Sequence, residues 1–322
     1  MEKPNIYSSV QSDFDAVNQF ILSQLHSDVP LVVKIGHHII ESGGKRMRPL
    51  LALLSANALN YQGDKHIKLA TVIEFLHTAT LLHDDVVDAS DMRRGKTTAN
   101  AKWGNEPSVL VGDFLYSRAF QILVETKNLD VMAVLSNATC VIAEGEVLQL
   151  MNVKNPNVTE EQYMNVIYGK TAKLFEASTE CGALLSTNDK TLIKASADYG
   201  LNLGLGFQIM DDILDYEGDA DTMGKNVGDD LAEGKPTLPL IQAMKAGSEA
   251  EVQLIKQAIR KGGLEDISKI QEIVHSSGAL SYCKQKANDL ADKAHDALNL
   301  LPQNDHTKAM ETVLALAVNR KS

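Results

Sequence analysis

The stretch "LLHDDVVDASDMRRGKTT", Leu81–Thr98, crowds Asp84, Asp85, Asp88 and Asp91 together and follows them with Arg93, Arg94 and Lys96. Like charges on neighbouring helical positions weaken a helix unless something answers them. The preceding residues, "LATVIEFLHTATLLHDDVVD", keep a helical rhythm through Leu69, Val72, Ile73, Leu76, Thr80 and Val87. Residues four apart share a helix face, so Asp84 and Asp88 project together with Asp85 beside them. The cluster thus ends an apolar helix, and either solvent or a metal must answer its charge.

The rest of the chain reads the same way. Only 8 prolines occur among 322 residues, and the Pro-free stretches 50–106, 157–235 and 240–301 are rich in Ala, Leu, Lys, Glu and Gln, which favour helix. "PLVVKIGHHII" reads equally as a strand or a buried helix. Gly, Asn, Asp and Pro mark breaks at 60–66, 91–108, 153–159, 186–190 and 216–237. The two longest breaks read as functional loops able to close over a site. The expected fold is all-α, a single domain over residues 1–322 with about ten helices. Length alone would suggest two domains, but no break is long or polar enough for a disordered linker.

Composition narrows the class. With 31 basic and 42 acidic residues the net charge is −11, which argues against a general nucleic-acid binder. The 3 cysteines, Cys140, Cys181 and Cys283, are far apart and form no C-x-x-C pair, as expected in a reducing compartment. The N-terminal residues show no secretory h-region, and no uninterrupted apolar run suggests a membrane span, so the expected location is cytoplasmic.

A second D-D-x-x-D occurs in "FQIMDDILDYEGD", with Asp211, Asp212 and Asp215, and with Gln208 on the same helix face. Either cluster alone reads as well as a solvated acidic face. Two copies on otherwise apolar helices point to Mg²⁺, which takes hard oxygen ligands and is usually held by one or two carboxylates plus substrate phosphates. Cations accompany them: Lys45 and Arg48 in "ESGGKRMRP", where Gly43 and Gly44 permit close backbone approach; Arg93 and Arg94; Lys170 beside Thr171; and Lys225 and Lys235. Arg suits bidentate phosphate contacts and Lys point-charge contacts. Each lysine alone would mean nothing, Lys173 included.

In this order "GGKRMRP", "EFLHTATLLHDDVVDASDMRRG", "GDFLYSRAF", "GKTAKLFEAS", "GFQIMDDILDY" and "GKNVGDDLAEGKPTLPLI" closely resemble the trans-polyprenyl diphosphate synthases. The resemblance runs from about Gly43 to Pro239; the C-terminal third adds no legible motif. It implies the isoprenoid synthase fold, a helical bundle around a central cavity. It implies that Asp84, Asp88 and Asp211 hold Mg²⁺, supported by Asp85, Asp212 and Asp215. It places isopentenyl diphosphate on Lys45, Arg48, His77 and Arg94, and an allylic diphosphate such as farnesyl diphosphate on Arg93, Lys170, Lys225 and Lys235. Thr171 and Gln208 would point oxygens at the reacting carbon. His77, two helical turns before Asp84, would otherwise read as a satisfied core histidine. His83 receives no role, and Trp103 and Tyr116 read as packing. The family is usually homodimeric, and "GDFLYSRAFQILVETKNL" is apolar enough to pack on a partner.

Chain length is readable beyond the family. Product should grow down the helix away from the acidic motif, each turn adding about 5.4 Å, comparable to one isoprene unit. Short-chain members place an aromatic floor in this region. Here Ala79 and Thr80 are small, and Leu76 stands a turn deeper, with Phe75 turned partly aside. A long-chain product follows, octaprenyl diphosphate by resemblance to bacterial synthases, serving a respiratory quinone side chain and delivered to the membrane. The alternatives are a shorter farnesyl or geranylgeranyl product, or a non-catalytic subunit, which would be expected to lose aspartates. An HD-type phosphohydrolase needs further histidines. A terpene cyclase would leave "GGKRMRP" unexplained. A calcium loop at "DADTMGKNVGDD" fails on Met223 and Asp230.

Overall fold

The computed structural model describes residues 5–217 and 228–318. Helices dominate the described residues; the one sheet among them is a two-stranded hairpin. "PLVVKIGHHII" resolves as helix α2 (Pro30–Glu41), after α1 (Gln11–Gln24), and is followed by α3 (Met47–Ala58) and α4 (Lys65–Val87). Pro30 sits in the first turn of α2, where its missing N–H costs nothing. Helices as short as Ala99–Trp103 and Asp229–Ala232, too brief to show a period, carry the described elements beyond the ten expected.

The chain divides into two compact units. One takes the residues up to Thr139, Ala177–Ala197 and Leu298–Thr312; the other takes Cys140–Glu176, Asp198–Ala297 and the residues from Val313. In the first unit α4 packs on α1, α3 and a helix α6 (Asn105–Glu125). Every residue from Leu69 to Leu76 is buried, so α4 has no solvent face along that run and lies inside its unit. It ends in a Schellman motif: Ser90 N–H donates to the Asp85 carbonyl at 2.9 Å and Ala89 N–H to that of Val86 at 3.3 Å, with Ala89 at φ 50°.

The expected loop 91–108 is mostly ordered structure. Strands β1 (Met92–Arg93) and β2 (Lys96–Thr97) pair antiparallel across Arg94 and Gly95, at φ 52° and 74°. Positive φ at both central residues is the signature of a type I′ two-residue hairpin. Helix α5 (Ala99–Trp103) and the start of α6 follow. Trp103 packs edge-on against His38 at 4.9 Å, as expected of a packing residue. Tyr116 instead stands 37% exposed beside Phe120.

Helix α7 spans Leu129–Asn152. Among the described residues it is long and apolar enough, by length and composition alone, to cross a membrane, its mean hydropathy reaching 1.5 over 18 residues, a measure that a helix packed inside a protein core also meets. Ser136, Asn137, Thr139 and Glu144 interrupt its apolar sequence without lowering the average much.

In the second unit α8 (Glu160–Ile167) begins with a capping box between Thr159 and Gln162. α10 (Lys190–Glu217) carries Ile209, Ile213 and Tyr216 into a core shared with Tyr163, Leu240, Ile255, Ile270 and Cys283. The C-terminal third thus has a role no motif announced: His275 Nε2 lies 3.2 Å from the Tyr216 carbonyl, beside the end of α10 that bears the second acidic cluster.

One polar knot ties this unit. Glu160, in the first turn of α8, accepts from Gln242 at 2.7 Å, Lys245 at 3.1 Å, Tyr282 at 2.9 Å and Lys286 at 2.6 Å. Burial alone would raise its pKa, but hydrogen bonds from Lys286, Lys245 and Tyr282 hold it down at about 2, from an ordinary 4.5. A carboxyl depressed on folding stabilises fully above its unfolded pKa and loses that contribution as pH falls through its folded value. Glu160→Gln is therefore expected to lower Tm at pH 7, with the gap to wild type closing between about pH 4.5 and about 2. Thermal melts across that range check it, and a pH-independent gap would contradict it.

Candidate active site

The first acidic cluster lies at the end of α4. Asp85 is 1% exposed and accepts from Arg93 Nε at 2.7 Å; its Oδ2 is buried with no hydrogen-bond partner among the described residues. Burial raises the Asp85 pKa, Arg93 opposes the rise, and Asp84 and Asp88 reinforce it. The hairpin bearing Arg93 is clipped to the helix end: Asn100 Nδ2 donates to the carbonyls of Asp85 at 3.1 Å and Ser90 at 3.0 Å, and Thr98 Oγ1 donates to Ser90 at 2.7 Å.

The predicted isopentenyl diphosphate residues cluster in the same unit. Arg48 Nη1 lies 3.3 Å from His77 Nε2. Since an arginine has only protons to give, His77 Nε2 accepts and its proton sits on Nδ1. Burial and the guanidiniums of Arg48, Arg94 and Arg93 push the His77 pKa well below its ordinary value, so it is neutral at physiological pH. Arg94 donates to the Gly43 carbonyl. A Cβ at Gly44 (φ 144°) would stand 2.4 Å from Arg94 Nη1, so the close approach these glycines permit is to a guanidinium. Lys45 is exposed, its carbonyl accepting from Tyr7 Oη at 2.8 Å. Ala79 and Leu76 are buried, and Thr80 Oγ1 donates to the His77 carbonyl at 2.8 Å.

In the second unit a cavity of about 140 Å³ is lined by Lys170, Thr171, Gln208, Asp212 and Lys235, among others. A relay crosses it. Thr171 Oγ1 donates to Gln208 Oε1 at 2.8 Å, Gln208 Nε2 to Asp212 Oδ1 at 2.8 Å, and Tyr163 Oη to Asp212 Oδ2 at 2.6 Å. Both Asp212 oxygens are thereby committed, which fits support rather than metal ligation. Burial, then the Asp230 and Asp211 charges, push the Asp212 pKa well up, against Tyr163 and Gln208. Asp215 rises to about 8 through burial and Asp230, although the backbone N–H groups of Asp230 and Asp229 reach its carboxylate. Lys170 pairs with Glu146 at 2.7 Å, and Lys235 with Glu233. Lys173 is buried, not a surface lysine, and pairs with Glu176 at 3.0 Å. Lys225 lies outside the described residues.

Backbone geometry aims these groups. Tyr168–Ala172 forms one π-helical turn, the extra residue re-aiming Lys170 and Thr171. It exists against bare backbone: a Cβ at Gly145 would meet Lys170 N at 2.7 Å, and one at Gly204 would meet Ala172 Cα at 2.7 Å.

Sequence reasoning missed Tyr163, Glu146 and Glu74, a buried acid one turn before His77. Only Glu74 left a signal, as a lone charge inside the apolar run of α4. Among the described residues no group of three His, Cys, Asp or Glu converges as a metal alone would need. The hard carboxylates and the orphaned Asp85 oxygen fit a cation that draws its remaining ligands from a diphosphate.

The sequence pattern of the polyprenyl synthetase family matches residues 29–276, and the chain belongs to that family. It is 50% identical to octaprenyl diphosphate synthase of Escherichia coli K12 over 321 residues, 99% of each chain. It is 47% identical to an all-trans-nonaprenyl-diphosphate synthase (geranyl-diphosphate specific) of Rhodobacter capsulatus, over 99% of this chain and 98% of that one. The crystal structure of a polyprenyl synthase from Caulobacter crescentus CB15, complexed with calcium and isoprenyl diphosphate, superposes with a TM-score of 0.95 at 43% identity over the whole of both chains.

Gly145→Ala is expected to cost about 1–3 kcal/mol and to weaken allylic substrate binding, because backbone cannot rotate away from the new methyl. Thermal melts and the allylic KM check this; an unchanged Tm with unchanged KM would contradict it.

Proposed function

We propose that the protein is a long-chain trans-polyprenyl diphosphate synthase. It condenses farnesyl diphosphate with several isopentenyl diphosphates to octaprenyl diphosphate, acting in the cytoplasm and delivering its product to the membrane for a quinone side chain. The observation that carries this is the intact pair of D-D-x-x-D helices, each set among diphosphate-suited cations, in a chain half-identical along its length to an octaprenyl diphosphate synthase. The match across both compact units supports one catalytic domain.

Asp84, Asp88 and Asp211 would hold Mg²⁺, and the calcium and isoprenyl diphosphate of the Caulobacter structure support a hard divalent cation. When bound, Mg²⁺ neutralises charge on the departing diphosphate as a Lewis acid. Arg93, Lys170 and Lys235, together with Lys225, would hold that diphosphate as cations. Asp212, fixed by Tyr163, sets the Gln208 amide, and Gln208 takes the Thr171 hydrogen. The lone pairs of Thr171 Oγ1 are left to face the allylic carbon as its C–O bond breaks. The double bond of isopentenyl diphosphate, held by Lys45, Arg48, His77 and Arg94, supplies the electron pair of the new C–C bond, and the cation so formed gives up a proton to the departed diphosphate, leaving a new double bond. Water must be kept from the cationic fragment. A homodimer is supported by exposed apolar side chains on α6 and at the start of α7, Leu110 at 66%, Val124 at 57% and Leu129 at 80%.

Mass-spectrometric sizing of products from farnesyl and isopentenyl diphosphates tests the reading. Wild type is expected to make the forty-carbon chain. Ala79→Tyr should stop short, because Ala79 is fully buried and a ring there closes the path down α4. A wild-type product ending at fifteen or twenty carbons, or full-length chains from the variant, would contradict it.

A further inference from the structure

Arg46, Arg48 and Arg94 all act on one carboxylate, Glu74, which is 8% exposed and lies three residues before His77 on α4. Guanidiniums gathered this closely repel one another, and a buried acid has no solvent to stabilise it. Here each answers the other. Arg46 Nε stands 3.6 Å from Glu74 Oε1. Glu74 Oε2 is buried without a hydrogen-bond partner among the described residues, so the field of the arginines is its main support. Burial raises the Glu74 pKa and Arg46, Arg48 and Arg94 oppose that rise, in that order. Each of these arginines also has a partner besides Glu74. Arg48 bonds to His77, and Arg94 bonds to Gly43 while lying against Gly44. Arg46 itself sits at φ 43°, where the chain turns into α3 between Lys45 and Arg48, and also donates to Asn18.

We propose that Glu74 is the positioning residue of the acceptor-diphosphate site: its buried carboxylate holds Arg46, Arg48 and Arg94 in the array that receives isopentenyl diphosphate. The inference rests on the function proposed above. Glu74 acts in this role through these cations.

Two physical views of Glu74 predict opposite signs. If the guanidiniums stay in place without it, the carboxylate merely repels the incoming diphosphate, and removing its charge tightens binding. If it positions them, removal weakens binding although the net charge becomes more favourable. The experiment is calorimetric titration of isopentenyl diphosphate, with steady-state kinetics, on wild type, Glu74→Gln, Glu74→Asp and Arg48→Ala. Glu74→Gln is expected to raise both the Kd and the KM for isopentenyl diphosphate by about tenfold or more. The allylic KM should change less than about twofold, since a local loss of one contact set leaves the other substrate's binding intact. Glu74→Asp keeps the charge on a shorter arm and should recover part of the loss, a rescue that general misfolding would not give; should Glu74→Gln fail to fold, Glu74→Asp carries the test through the same split between the two KM values. Arg48→Ala should show the same split. Equal rises in both KM values, or unchanged or tighter isopentenyl diphosphate binding in Glu74→Gln, would overturn the role of Glu74. A wild-type protein that does not bind isopentenyl diphosphate would overturn the reading of the site itself.

Discussion

A carboxylate taken out of water must be answered by charge or by hydrogen bonds, and that constraint organises both units of this protein. Asp85 is answered by Arg93, Glu74 by three arginines, and Asp212 by Tyr163 and Gln208. The answers are not interchangeable. Three arginines around the single Glu74 carboxylate leave positive charge in excess for a phosphate to meet. A tyrosine and an amide fix geometry instead and pass it along to Thr171. On the function proposed above, the same physical demand yields an anion-receiving face in one unit and an oriented oxygen in the other.

The backbone is shaped to make these answers possible. The type I′ turn at Arg94 and Gly95 brings two adjacent arginines to different tasks, Arg93 to Asp85 and Arg94 to the Gly43–Gly44 backbone. The π-helical turn at Tyr168–Ala172 does the equivalent work for Lys170 and Thr171, and glycines at 145, 169 and 204 leave it room. Each of these features departs from regular geometry where a functional side chain must be re-aimed, the pattern expected when local preference yields to a site.

Much of this was legible in the chain. The helical rhythm of α4, the paired acidic motifs and the break at 153–159 follow from spacing and composition alone, because those signals are local. The hairpin at 92–97 was not, since two-residue strands carry no period and Arg-Gly is a weak turn signal. Nor were Tyr163, which meets Asp212 across 49 positions, or Glu146, which meets Lys170 across 24. Such partners are chosen by packing of distant helices, which no window of sequence contains. Chain length sits between these cases: the small residues at 79 and 80 are visible, whereas the number of isoprene units depends on whatever closes the path below them. The relatives at 50% and 47% identity bear octaprenyl and nonaprenyl names, so near-equal likeness spans different counts.

The central proposal is that Asp84, Asp88 and Asp211 act on one diphosphate through Mg²⁺. The most direct measurement is calorimetric binding of an unreactive thio analogue of farnesyl diphosphate, with Mg²⁺ and with EDTA, to wild type, Asp84→Ala, Asp211→Ala and the double variant. If one ligand and its metal ions engage both clusters, binding needs Mg²⁺, each single substitution weakens it severely, and the double variant binds little worse than either single. Binding that persists in EDTA, or losses that simply add in the double variant, would contradict the account.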